Sequence, residues 1–272
     1  TLDIQSSPKK QNNILDPKNN VRLRDEAGNV LFLIVLYCLQ GVPLGLSMGS
    51  MPFLLQASSS FTSIGLFGIA AYPYSCKLLW SPIVDSIFSR RFGRRRSWII
   101  PLQTLSSIVF ILFADAAESA LLTSNVFQLS ALFFILVLLA ATQDIAVDGW
   151  ALTLLSRPNL GYTSTCQTVG MNAGFFLSFT VFLAFNDKDF SNRYFRSVPQ
   201  DTGLVSLSSY MKWWGVIYAV VTVYIALFKT EKNSCGESNQ SLRQSYSQLW
   251  NVIRLPAVKR LDRKSTRLNS SH

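Results

Sequence analysis

The sequence predicts an all-α integral membrane protein, a bundle of six spans. Three observations lead there. Charged residues make up only 15 % of the chain, against roughly 25% in an ordinary soluble domain, while apolar residues reach 49 % and phenylalanine alone counts 19. A bilayer core of roughly 30 Å takes about 20 helical residues to cross, and the segments 30–56, 62–84, 98–115, 127–155, 162–185 and 210–228 are apolar enough to do so. Lysine and arginine collect mainly in the connectors on one side of these segments.

Residues 1–29 are polar, carry Lys9, Lys10, Lys18, Arg22 and Arg24, and contain no signal-peptide core, so the first apolar segment reads as a true span. Within that span Gly41, Gly45 and Gly49 share one face, which favours close helix packing, and Gln40 beside them is a candidate cavity liner. Pro43, Pro52, Pro73 and Pro82 lie in or beside the first two spans and predict kinks, tolerable where neighbours satisfy the freed carbonyls. The second span contains Lys77 and ends at Asp85, ahead of a loop with Arg90, Arg91, Arg94, Arg95 and Arg96. Gly93 allows a tight turn there, and Asp85 with Arg94 and Arg95 reads as a charge latch against an ordinary basic loop as the alternative.

The third span is the shortest and the fourth the longest. In the fifth, Gly170 and Gly174 form a small-residue contact pattern, while Gln167 and Asn172 need polar partners or a substrate. After the sixth, residues 229–260 are again basic, with Lys229, Lys232, Arg243, Arg254, Lys259 and Arg260. Connectors after spans one and three have no lysine or arginine, and only 186–209 is mixed. The positive-inside rule therefore puts both flanks in the cytosol. The closing LDRKSTRLNSSH has no apolar period, resembles a translated adapter, and is set aside as a non-native tail of residues 261–272.

Other functional classes find little support. The formal charge of +10 is confined to short blocks with no nucleic-acid motif. One histidine, His272, lies in the set-aside tail, and the four cysteines show no metal or disulfide spacing. No nucleophile elbow or phosphate-binding loop occurs, so neither an enzyme nor a cofactor is implied. Composition and topology point to transport.

The run ATQDIAVDGWALTLLS raises the sharpest question, because Asp144 and Asp148 continue an apolar span. Four residues apart, they share a helix face, which should turn toward the bundle or a watery cavity. Proton carrier, substrate contact and structural partner of the loop arginines compete as roles. Asp148, nearer the basic end, is the expected partner of Arg94 or Arg95, with Asp85 in the same network. Asp144, one turn deeper, is expected near Lys77 and Gln40, where Lys77 either snorkels, pairs with it or attracts an anion.

The stretches LYCLQGVPLGL, CKLLWSPIVDSIF, FGRRRSW and LAATQDIAVDGWALTLLS resemble the acetyl-coenzyme A transporter family of the endoplasmic reticulum membrane, within the major facilitator superfamily. The chain departs from the superfamily loop pattern at Ser81, where glycine is common, and at Ser86, where arginine is common; its basic group is delayed to Arg90 onward. The resemblance implies the six-helix N-terminal half of a twelve-helix transporter. A bundle at 30–228 would be followed by 229–260 leading toward a second, C-terminal half. It also implies acetyl-CoA as substrate and the endoplasmic reticulum membrane as location, with the N-terminus cytosolic. A proton-coupled symporter, a truncated non-transporting scaffold and a homo-oligomer remain as alternatives.

Overall fold

A computed structural model describes residues 23–56, 59–89, 92–229, 231 and 242–254. Residues 1–22, Arg90, Arg91 and the stretch 255–272 lie outside the described residues, and with them most of the N-terminal segment and the whole of the set-aside tail. The fold is all helical among the described residues. Four helices are long and apolar enough to cross a membrane: Arg24–Gln56, Val126–Leu154, Tyr162–Asn186 and Leu207–Phe228. A bent pair, Arg96–Leu112 and Ala114–Leu122, makes a fifth candidate.

The first span shows how prolines are absorbed. Its regular helix Ala27–Leu44 opens into wide π turns at Gly45–Ser50 and closes again as Met51–Gln56. Pro43 has no N–H to offer the carbonyl four residues back, which is that of Leu39. The buried Tyr218 hydroxyl of the sixth span donates to that carbonyl instead. A second π segment, Leu177–Val181, interrupts the fifth span opposite the first, and the Ser50 hydroxyl donates to the Ser178 carbonyl across the gap.

The second expected span is not one helix. It is a chain of short pieces, Phe61–Phe67, Tyr72–Cys76 and Ser81–Ser86, joined by 3-10 turns at Gly68–Ala71 and Lys77–Leu79. Pro73 and Pro82 sit at the starts of the latter two pieces, where a missing N–H does no harm. Ser81 Oγ donates to the Leu78 carbonyl at 3.1 Å, the acceptor that Pro82 leaves free. The expected third span also ends too early at residue 115. The chain bends by 50° after Leu112 and continues as helix to Leu122. There Asp115 pairs with Lys212 at 2.7 Å and Glu118 accepts the Ser208 N–H at 2.9 Å, tying the bend to the start of the sixth span.

Span four runs along the bundle axis, packed against spans one, two and three, and is buried on its inward side while Phe127, Phe134, Ile135 and Leu152 stay exposed. Two apolar clusters share it. One holds Leu39, Phe110, Leu139 and Tyr218, the other Leu36, Ala146, Val147 and Ile225. The boundary on span four falls between Leu139 and Ala146, where Gln143 and Asp144 lie. A short amphipathic helix, Leu242–Arg254, packs on the end of the second segment through Ser86–Ser245 at 3.0 Å and Tyr246 to the Leu79 carbonyl at 3.0 Å.

Candidate functional site

At that boundary Lys77 and Asp144 form an ion pair, with Asp144 fully buried and the lysine side chain 28 % exposed. The 3-10 turn Lys77–Leu79 follows the helix of Tyr72–Cys76, which places Tyr74 one turn before the lysine. The Tyr74 hydroxyl donates to the same carboxylate oxygen at 3.4 Å, and the ammonium lies 4.6 Å from the Tyr74 ring centre. Trp80 holds this segment against span four by donating from Nε1 to Thr142 Oγ1 at 3.2 Å.

Around the pair, polar atoms remain unpartnered. Asp144 Oδ1, Gln143 Nε2 and both amide atoms of Gln40 are buried with no hydrogen-bond partner among the described residues. Leaving one such group unsatisfied costs about 1–3 kcal/mol; atoms of the same kind also occur away from the pair, at Ser47, Gln103 and Ser130. Gln40 lies one turn beyond Tyr37 on span one, as Asp144 lies one turn from Asp148 on the antiparallel span four. The two side chains therefore share a level of the bundle.

Asp148 has other partners than those expected from its place near the arginines. Its Oδ1 accepts the Tyr37 hydroxyl at 2.8 Å and Gln167 Nε2 at 3.1 Å, joining spans one, four and five. Arg95 pairs with Asp85 at 2.7 Å, and Arg94 donates from Nε to the Asp85 carbonyl at 3.0 Å. The Arg95 guanidinium approaches span four at Gly149, so closely that a Cβ there would strike it. One residue turns the helix face by about 100°, since there are about 3.6 residues per turn, and this rotation carries Asp148 inward while the arginine meets its neighbour.

Two further contacts were invisible in the pattern. Glu231, just after span six, accepts the backbone N–H groups of Arg95 at 2.9 Å and Arg96 at 3.3 Å, capping span three. Gly93, at φ 92°, gives it room. Glu26 accepts from the Ser156 N–H at 3.0 Å and the Asn159 amide at 2.6 Å, binding span one to the 4–5 connector. Lys229 lies over the Phe32 ring, and burial pulls its ammonium below the ordinary lysine range.

The glycine faces meet one another. Gly41 and Gly174 are in backbone contact, a Cβ on Gly45 would lie 2.7 Å from the Phe175 carbonyl oxygen, Gly49 packs on the Phe179 ring, and Gly170 sits against Ile34 and Tyr37. This packing brings Tyr37 and Gln167 together over Asp148. Asn172 does not join them: it is exposed and bonds back to the Thr168 carbonyl of its own helix at 2.8 Å. Tyr37 and Tyr74 were missed in the sequence because tyrosine in an apolar run resembles core. Their spacing from Gln40 and Lys77, one turn in each case, is the signal that could have revealed them.

Long apolar helices with charged and unpaired polar groups between them define a multi-pass, all-helical membrane protein. The comparisons with known proteins narrow this class. The chain belongs to the family described as Acetyl-coenzyme A transporter 1, which matches residues 29–236. It is 49 % identical over 221 residues to an uncharacterised membrane protein of Saccharomyces cerevisiae, covering 74 % of this chain and 39 % of that protein. An uncharacterised protein of Schizosaccharomyces pombe is 42 % identical over 228 residues, covering 83 % of this chain and 43 % of that one. The anhydromuropeptide permease of Escherichia coli is 29 % identical over 158 residues, covering 57 % and 31 %. The chain thus spans less than half the length of these relatives.

Proposed function

We propose that this chain forms the first half of a transporter that carries acetyl-CoA from the cytosol into the lumen of the endoplasmic reticulum. The observation that carries the reading is the Lys77–Asp144 pair, buried at the bundle axis among unpartnered amides. Ionisable groups inside a membrane bundle mark solute or ion pathways, and Lys77 offers an ammonium to a phosphate-rich solute. The substrate itself rests on family membership. A second, C-terminal half would complete the cavity, since transporters of this architecture bind near the midplane between two repeats. Asp85, Arg94 and Arg95 would then act as the cytosolic latch, and the arginine-rich end would face the cytosol.

The test is uptake of labelled acetyl-CoA into vesicles reconstituted with the full-length protein carrying this sequence. Saturable uptake, lost in Lys77→Gln, supports the reading. Uptake of another solute without acetyl-CoA uptake rejects the substrate.

A second reading, a proton-coupled symporter, is favoured by one feature: two carboxylates, Asp144 and Asp148, stand near a single ammonium. Its readout is whether uptake follows an imposed pH gradient.

A further inference from the structure

We propose that Asp148, held by Tyr37 and Gln167, is a proton-binding site whose occupancy sets the affinity of the neighbouring Lys77–Asp144 pair for an anionic solute. The inference rests on the transport reading and deepens it by naming the coupled ligand. It also assigns the proton to Asp148 rather than to Asp144, one helical turn away.

The charge count comes first. The Lys77 ammonium is committed to Asp144, and Tyr74 adds a neutral hydroxyl to the same oxygen. Both donors on Asp148, Tyr37 from span one and Gln167 from span five, are uncharged. Among the described residues, the other titratable groups facing this region are the Cys166 thiol on span five and Asp144 on span four itself. Arg95 reaches span four at Gly149, but its charge is paired with Asp85. The set Lys77, Asp144 and Asp148 therefore carries one negative charge in excess when both carboxylates are ionised. Inside a bilayer such an excess is costly unless paired or hydrated.

The geometry selects a proton over a metal cation to balance it. Tyr37 presents its O–H and Gln167 its N–H to Asp148 Oδ1, so hydrogens rather than lone pairs point at the carboxylate. Hard cations need several oxygen ligands, and these two groups do not supply them in this arrangement. A proton needs only the second oxygen. On protonation the new O–H bond forms at Oδ2 and the carboxylate charge is discharged, while Tyr37 and Gln167 keep donating to Oδ1.

The functional consequence follows from sign. With Asp148 ionised, the excess negative charge opposes an anion approaching Lys77. With Asp148 protonated, the set is neutral and the ammonium is free to share itself between Asp144 and a phosphate. Proton and anion then favour each other's binding by the same factor in both directions.

The experiment uses the full-length protein in lipid vesicles and two independent readouts. Infrared difference spectra between acid and alkaline buffer detect carboxyl protonation without any solute. One resolved component of the carboxyl band, among those of the many other acidic side chains, is expected to be lost in Asp148→Asn and to persist in Asp144→Asn; a band unchanged in Asp148→Asn overturns the proposal. In parallel, acetyl-CoA uptake is measured over a pH series. Wild-type uptake should rise toward acid, and Asp148→Asn should flatten that dependence. Full wild-type pH dependence in that variant also overturns the proposal. Should Asp148→Asn fail to fold, Tyr37→Phe serves instead: loss of one hydrogen bond of about 1.4 kcal/mol is about one pH unit, so an unmoved midpoint of the carboxyl band overturns the assignment. Absence of acetyl-CoA uptake in the wild type, with the band assigned to Asp148, would reject the substrate and leave the proton site standing.

Discussion

Gly174→Ala is the most direct probe of how the site is assembled. A methyl group at residue 174 would overlap the Cys38 carbonyl oxygen and lie 3.0 Å from both the Cys38 carbonyl carbon and the Gly41 Cα. All of these are backbone atoms, so no rotamer change on either helix relieves the overlap. Spans one and five must part, by about 0.5–1 Å, which forfeits a quarter to a half of each dispersion contact along the seam. Overpacking of this kind costs about 1–3 kcal/mol, and the better helix propensity of alanine returns about 1 kcal/mol. A net loss of up to about 2 kcal/mol is expected, together with a longer Tyr37–Asp148–Gln167 connection. Gly65→Ala is the control, since nothing lies within 4 Å of a Cβ there, and it should be neutral or gain stability. The assay is thermal unfolding of the two variants in the same lipid or detergent. Equal stability of Gly174→Ala and the parent, with Gly65→Ala destabilised, would refute the packing argument.

Three further outcomes are expected. Tyr218→Phe should lower stability by about 1–3 kcal/mol by orphaning the Leu39 carbonyl, and Pro43→Ala in that background should restore much of it; failure of the rescue in a thermal-unfolding series would show that the two residues do not act on one acceptor. Lys77→Met should destabilise by up to about 3–5 kcal/mol by leaving the buried Asp144 unpaired, and the pair Lys77→Met with Asp144→Leu should recover stability but not acetyl-CoA uptake. Cysteines replacing Ser86 and Ser245 should form a disulfide under mild oxidation, because their hydroxyls stand 3.0 Å apart; an unchanged gel mobility would place the helix Leu242–Arg254 elsewhere.

Much of the architecture was legible because lipid imposes one simple demand, a long apolar run with its backbone bonded internally. Spans one, four, five and six obey it and were located to within a few residues. Span two was harder, since Pro73 and Pro82 announced kinks but not that the run would break into short pieces. Span three looked short because Asp115 and Glu118 interrupt its hydropathy. Their partners, Lys212 and the start of span six, lie about ninety residues away in the chain. Lys212 itself was passed over within the sixth run, where only Lys77 had stood out.

The site divides in the same way. Helical spacing was sufficient to put Asp144 and Asp148 on one face, but it left three roles open for Lys77, of which the structure shows the pair with Asp144. Which groups meet Asp148 depends instead on how spans one and five dock through Gly41, Gly170 and Gly174. That docking is a tertiary outcome that spacing along one helix does not contain. The arginines illustrate the limit most clearly. The expected pairing with Asp85 is present, but the second expected partner, Asp148 on span four, is not used, and Arg95 instead takes the absent side chain of Gly149 as a notch.

The central claim, that Lys77 and Asp144 form a solute site at the bundle axis, is tested most directly by solute protection at Tyr74→Cys, which keeps the Lys77–Asp144 pair and stands beside it. The full-length protein, freed of its other reactive cysteines and embedded in vesicles, is treated with a polar thiol reagent with and without acetyl-CoA. Residue 74 is partly open, so the introduced cysteine should label, and saturating acetyl-CoA should slow that labelling, by about tenfold when the site is nine-tenths occupied. Labelling at an unchanged rate in the presence of acetyl-CoA, while the same vesicles accumulate it, would place the solute path away from this pair and contradict the account.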